Sequence, residues 1–232
     1  MNNKILFSIG ALLLSTAVFG QLGNLSGAAD KARNWFNQNN YGVENLHAAL
    51  NEFSDATISK LAVENAFKGD SKIYIPLPSQ YNNLKKTVTR FGGEQMVSRI
   101  EDQLNAAAEK TIELAKPHLV SAISKMELND AIGLAGKQKG FTNYLEGKSA
   151  LGISNSLEPE VKAYLESTGT YNLLNEFFAY YKKFAGFFGR RIPNGPTLES
   201  YVAEKAVDGL FLKLGQKEAK FREEKLPPVF NK

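Results

Sequence analysis

Glu101, Asn105 and Glu109 follow one another at intervals of four in "EDQLNAAAEK", so on a helix they share one edge. Two carboxylates and an amide in such a row are either a buried hydrogen-bond network or a solvated flank. Other residue types with chemistry are scarce. The only histidines are His47 and His118. His47 stands three residues after Glu44, and a single Glu-x-x-His pair falls short of the several ligands at fixed spacing that a metal needs. Both imidazoles read as solvated or capping groups. No Gly-x-Ser-x-Gly elbow occurs among the serines. The glycines of "GKQKG" lack the preceding strand and the following Lys-Ser/Thr pair of a phosphate loop. There is no cysteine, which removes thiol catalysis, disulfides, cysteine-bound metals and lipid attachment at a cysteine. The residues name no catalytic group, no metal and no cofactor.

The stretch "NEFFAYYKKFAGFFGRR", Asn175 to Arg191, raises a different chemistry. On a helical wheel Phe177, Tyr180, Tyr181, Phe184, Phe187 and Phe188 share one face, with Phe178 off it. Lys182, Lys183 and Arg190 lie on the other side. A nucleic-acid platform would interleave exposed aromatics with cations along one face, and here the two are segregated. Segregation suits an amphipathic core helix, or a helix lying on a partner or a lipid surface. The core reading is the commoner one. It leaves Arg190 and Arg191 at the surface as a contact for a partner.

The elements that must position these residues are helical. At 232 residues, with 43% hydrophobic and 22% charged, the chain has enough apolar material for a globular core. Leu46, Leu50, Phe53, Thr57 and Leu61 recur at helical spacing, as do Val97, Ile100, Leu104, Ala107, Ala108 and Ala115. Gly92 and Gly93 stop one helix. Pro117 is expected to end or kink the helix that starts at Glu94, and Pro159 to open a separate helix running to about Ser167. Thr197 caps a long last helix, which Pro227 and Pro228 terminate. The one extended piece is "KIYIPLP", Lys72 to Pro78, with two X-Pro bonds and no partner strand in the sequence. These patterns predict an all-α fold of about seven to nine helices with one short extended Ile-Pro-Leu-Pro segment.

Residues 1–20 differ from the rest. Lys4, an apolar run and small residues near Gly20 have the order of a cleaved signal peptide, and the run is shorter than the ~20 residues of a spanning helix. The division expected is therefore a signal peptide (1–20), a flexible polar arm (21–42) and a helical domain (43–232). No later segment is apolar enough to span, so the mature chain is expected outside the cytoplasm, without a transmembrane segment or a lipid anchor. From Lys182 onward eleven Lys or Arg face six Asp or Glu. That mild basic bias suits an acidic partner or membrane surface and is too sparse for a nucleic-acid binder.

Several short motifs, in order, resemble one family. They are "IYIPLP" at 73–78, "LNAAAEKT" at 104–111, "AISKMELNDA" at 122–131, "FTNYLEGKS" at 141–149 and "YVAEKAVDGLF" at 201–211, with Arg222 beyond. Together they resemble the DUF4197 family, exported bacterial proteins of unknown function. Three places in or beside the stretch at 141–149 depart from its pattern. Glu146 stands where an Arg is usual, Lys148-Ser149 replaces Lys-Thr, and Gly140-Phe141 replaces Ala-Ala. The resemblance directs attention to Asn105, Glu109, Asp130, Thr142, Tyr144, Lys148, Asp208 and Arg222, as either a binding site or a buried polar network.

The function expected is that of a non-enzymatic periplasmic protein that docks on a protein partner, with an accessory or plug subunit of an outer-membrane, type 9-like secretion channel as one form. A binder or carrier of a lipid or other apolar ligand is the alternative, and it calls for a cavity lined by Phe177, Tyr181 and Phe184. An enzyme is the second alternative, and it calls for Glu109, Asp130 and Lys148 to converge in one open cleft.

Overall fold

The computed structural model describes residues 43–135, 137–185 and 191–225. The segments expected to be a signal peptide and a polar arm, with Phe187, Phe188, Arg190 and the prolines at 227–228, lie outside these residues. Within them the chain is all-α, with eight α-helices, two 3-10 turns and no strand. The helices are α1 (Val43–Leu61), α2 (Asn82–Arg90), α3 (Glu94–Thr111), α4 (Ala115–Ser124), α5 (Leu128–Ala135), α6 (Gly140–Ser167), α7 (Thr170–Phe184) and α8 (Leu198–Lys225). The 3-10 turns are Ser79–Tyr81 and Ile112–Leu114.

The chain groups into two compact units. The first holds the described residues up to Ile58, then Lys116–Leu151, then those from Leu210 onward. Its core side chains follow helical spacing: Leu46, Ala49 and Leu50 on α1, Leu119, Ala122 and Ile123 on α4, Phe141 and Leu145 on α6, and Leu210, Phe211 and Leu214 on α8. Polar ties join these helices. His47 Nε2 meets the Met126 carbonyl at 2.8 Å, just past the end of α4. Lys217 on α8 donates to the Phe53 carbonyl at 3.1 Å while its ammonium lies 4.6 Å from the Phe53 ring centroid.

The second unit holds Ser59–Ala115 and Gly152–Gly209. Here α2, α3 and α7 pack against one another. The aromatic helix α7 is a core helix, because Phe177 and Tyr181 are buried and Lys182 and Lys183 are exposed. Phe178, off the main face, makes an edge contact with Tyr81 at 5.3 Å between ring centroids. Gly209 on α8 lets the chain approach closely, since a Cβ there would stand 2.8 Å from the Phe67 ring. Thr197 caps α8 as expected, its hydroxyl accepting from the Ser200 N–H at 3.3 Å.

Two proline expectations are corrected. Pro117 does not end a helix. α3 stops at Thr111, where the threonine hydroxyl bonds back to the Ala107 carbonyl at 2.9 Å, and a 3-10 turn follows. Pro117 then sits in the first turn of α4, where its missing N–H is no loss. Pro159 does not open a helix either. It lies inside the 28-residue α6. Pro159 and Asn155, whose carbonyl loses its i+4 donor, are both on the exposed side, where the break in the ladder is least costly.

Proline in a helix interior still costs several kcal/mol relative to alanine, partly offset by the stiffer unfolded chain. Pro159→Ala should therefore raise the unfolding free energy by about 2 kcal/mol, read from urea denaturation followed by circular dichroism. A lowered midpoint would show that the ring makes a contact worth more than the bond it removes.

Candidate functional site

The Glu101–Asn105–Glu109 edge of α3 is turned inward; all three residues are buried, at 5%, 0% and 5% exposure. The solvated-flank reading is set aside by this burial. Residues 62–78, which form no regular element, lie along that edge, and the three side chains supply the hydrogen bonds a strand partner would give.

Asn105 acts on Ile75 from both ends. Its Oδ1 accepts from the Ile75 N–H at 2.9 Å, and its Nδ2 donates to the Ile75 carbonyl at 2.9 Å and to the Glu101 carbonyl at 2.7 Å. The amide thus mimics one rung of a sheet. Glu101 accepts from the Leu77 N–H at 2.9 Å, the Tyr74 hydroxyl at 2.8 Å and Lys85 Nζ at 2.5 Å. Burial, and then the bond to Glu101, push the Tyr74 hydroxyl far above its ordinary value. Glu109 collects three backbone N–H groups: Asn65 at 3.1 Å, Phe67 at 2.9 Å and Lys68 at 3.5 Å. Asn65 reaches the carboxylate from a left-handed conformation, φ 64°, which asparagine tolerates better than most residues. The "KIYIPLP" segment is therefore extended without being a strand. Ile73, Ile75 and Leu77 go inward, and a helix edge stands in for the missing strand.

The first unit repeats the device with a residue that sequence reasoning missed. Glu218 on α8 is 3% exposed. It accepts from the Thr142 N–H at 2.9 Å, the Thr142 hydroxyl at 2.7 Å and the Phe141 N–H at 3.4 Å. It is an N-terminal cap for α6 supplied from a distant helix, in the position where the helix dipole favours an anion. A signal was available: Glu218 continues the spacing of buried Leu210 and Leu214 by one further turn, so it stands on an apolar stripe.

The remaining candidates are distributed as follows. Thr142 is buried with Glu218. Asp130 is exposed and accepts from the Glu127 N–H at 3.2 Å, which is half of a capping box at the start of α5. Tyr144 is half-buried, and burial, with the charges of Asp130 and Glu127, raises its hydroxyl above the ordinary value. The exposed Lys148 ammonium is 5.9 Å from the Tyr144 ring centroid. Asp208 is exposed and paired with Lys205 at 2.6 Å, and this bond raises the Lys205 ammonium above its usual value. Arg191 is exposed. Arg190 and the Arg222 side chain lie outside the described residues. So Asn105 and Glu109 join Glu101 in one network, Thr142 joins Glu218, and Asp130, Tyr144 and Lys148 form a surface group on the first unit. Of the three residues named for a cavity lining, Phe177 and Tyr181 are buried, and Phe184 stacks on Phe91 at 4.6 Å. Among the described residues no three His, Asp or Glu side chains gather as a metal site requires, and no helix is long and apolar enough to cross a membrane.

Two outcomes follow from this geometry. Asn105→Leu leaves the Ile75 N–H and carbonyl buried without partners, so stability should fall by on the order of 3 kcal/mol and amide exchange across 73–78 should accelerate. A loss under about 1 kcal/mol would mean that the apolar side chains alone hold the segment. Tyr74, with its proton held more tightly in the fold, adds stability that is complete below the ordinary value of 10.0. That stability is lost as pH rises above this value, because the unfolded chain releases the proton first. Tyr74→Phe should flatten the alkaline decline in urea midpoint, and parallel declines in both proteins would contradict the assignment.

Comparison with known proteins places the chain. No curated protein and no solved structure matches it significantly. A family model described as "Protein of unknown function (DUF4197)" matches residues 37–227. That span includes the α3 edge, the segment it holds, and both Thr142 and Glu218, and the chain belongs to the DUF4197 family.

Proposed function

We propose that this protein acts by docking on a protein partner in the cell envelope rather than by catalysis. The observation that carries the reading is the use made of its buried carboxylates. Both oxygens of Glu109 are taken by backbone N–H groups, both oxygens of Glu101 by Leu77, Tyr74 and Lys85, and Glu218 holds the start of α6. Carboxylates tied to backbone in this way serve as scaffold and are poorly placed for acid–base work, which needs a proton exchanged with a substrate. The remaining polar candidates, Asp130, Lys148, Asp208 and Arg191, are exposed, where a partner could reach them. The signal-like order of residues 1–20 and a basic C-terminal region in the sequence support the same reading. An accessory or plug subunit of an outer-membrane secretion channel is the specific role we put forward.

Affinity capture of the full chain from envelope extracts, followed by gel filtration, tests this. One polypeptide co-eluting at fixed stoichiometry, and lost on charge reversal at Arg191, is the expected result. Recovery of free monomer alone would overturn it.

A further inference from the structure

We propose that the turn between α2 and α3, together with the end of α7, docks on an anionic phospholipid surface. Phe91 heads this turn and is 46% exposed, one of few large apolar side chains so open. It is held in place from several directions. Its ring stacks on Phe184, 4.6 Å between centroids and 11° from parallel. The Tyr180 hydroxyl donates to the Phe91 carbonyl at 2.6 Å, and the Tyr180 ring lies 4.9 Å from that of Phe184. Gly92 takes φ +90°, and a Cβ on Gly93 would meet Val88 at 2.4 Å, so the turn accepts little else at these two positions.

The backbone of the turn is prepared for a poorly hydrated setting. The Phe91 N–H is bonded to the Thr87 and Val88 carbonyls, that of Gly92 to Thr89 and that of Gly93 to Val88. These donors lose no water partner on entering a headgroup layer, where an unpaired N–H would be costly. The same saturation leaves a protein strand few groups to pair with. Aromatic rings are favoured at that depth.

The same two helix ends carry cations. Lys86 and Arg90 are exposed on α2, which carries no acidic residue. Lys182 and Lys183 are exposed at the end of α7, with the Lys183 ammonium 5.4 Å from the Phe184 centroid. Lys85, Lys86 and Arg90, with Asn82 and Thr89, line a shallow groove of about 620 Å³, roomy enough for a phosphate headgroup. Glu94 is the one carboxylate between residues 82 and 94. Basic residues beside an exposed aromatic match the requirements of an anionic bilayer surface. This surface does not depend on the protein-partner reading, and its test contains no partner.

The test uses the full chain with phosphatidylcholine vesicles, with and without phosphatidylglycerol. Trp35 is the only tryptophan, so W35F combined with F91W places a single indole at the turn. Its emission should shift to the blue, and be quenched by brominated lipid, with anionic vesicles only. No shift, or an equal shift with neutral vesicles, would overturn the proposal. In co-sedimentation, Arg90→Glu with Lys183→Glu should weaken binding to anionic vesicles by about tenfold or more, while Phe91→Leu retains it. Lys60→Glu, at another exposed lysine, should leave binding unchanged, and an equal loss there would reduce the effect to net charge and overturn the site. Each variant is first checked for a wild-type melting curve; if the double charge reversal does not fold, Phe91→Ser should lose most binding to anionic vesicles, and full retention would overturn the proposal.

Discussion

The seventeen residues from 62 to 78 have no helix or strand of their own, yet Phe67, Ile73, Ile75 and Leu77 are buried in their midst. Burying apolar side chains on such a segment takes its backbone groups from water as well, and each unbonded N–H would cost more than a methyl group gains. The polar edge of α3 resolves this. Glu101, Asn105 and Glu109 project at 6 Å or so from one turn to the next, and the segment crosses them so that Asn65, Phe67, Lys68, Ile75 and Leu77 each find a partner. The adjoining face of the same helix carries Val97, Ile100, Leu104 and Ala108 into the apolar core. One helix thus does the work of a core element and of a sheet neighbour.

The two units share this solution with different geometry. Glu109 gathers a loop, and Glu218 gathers the first turn of a helix. In both cases a carboxylate is taken from water, which is costly, and several N–H or O–H donors compensate. Glu101 adds a cation, Lys85, which remains partly exposed. Side chains fixed this way hold the backbone in one arrangement, because a carboxylate with three donors has few alternative positions that keep all of them.

Much of the fold could be read from the sequence, and the failures have physical causes. Apolar spacing located α1, α3 and α7 because each keeps one face in the core, and the Gly92-Gly93 stop was visible because few other residues fit there. The prolines misled, since a proline's effect depends on whether its neighbours' carbonyls face water. That depends on burial, which Pro159 itself does not encode. The row of Glu101, Asn105 and Glu109 was legible as a row, but its direction was not. A helix edge with an amide between two carboxylates looks the same whether a loop covers it or solvent does. Glu218 escaped because its partners, Phe141 and Thr142, lie 77 and 76 residues earlier, and no local pattern links an acid to a helix start so far away. Asp130 was noticed for a motif and proves to be a local cap, a role that "ELND" at 127–130 already allowed.

That long separation has a consequence for the order of events during synthesis. A ribosome delivers the start of α6 well before it delivers residue 218. Until then the Phe141 and Thr142 amides have only water for company, and the first turn of the helix is free to fray. The first unit is therefore closed by a late-arriving latch, and a chain cut short before α8 would lack both that carboxylate and the Leu210, Phe211 and Leu214 side chains that complete the same core.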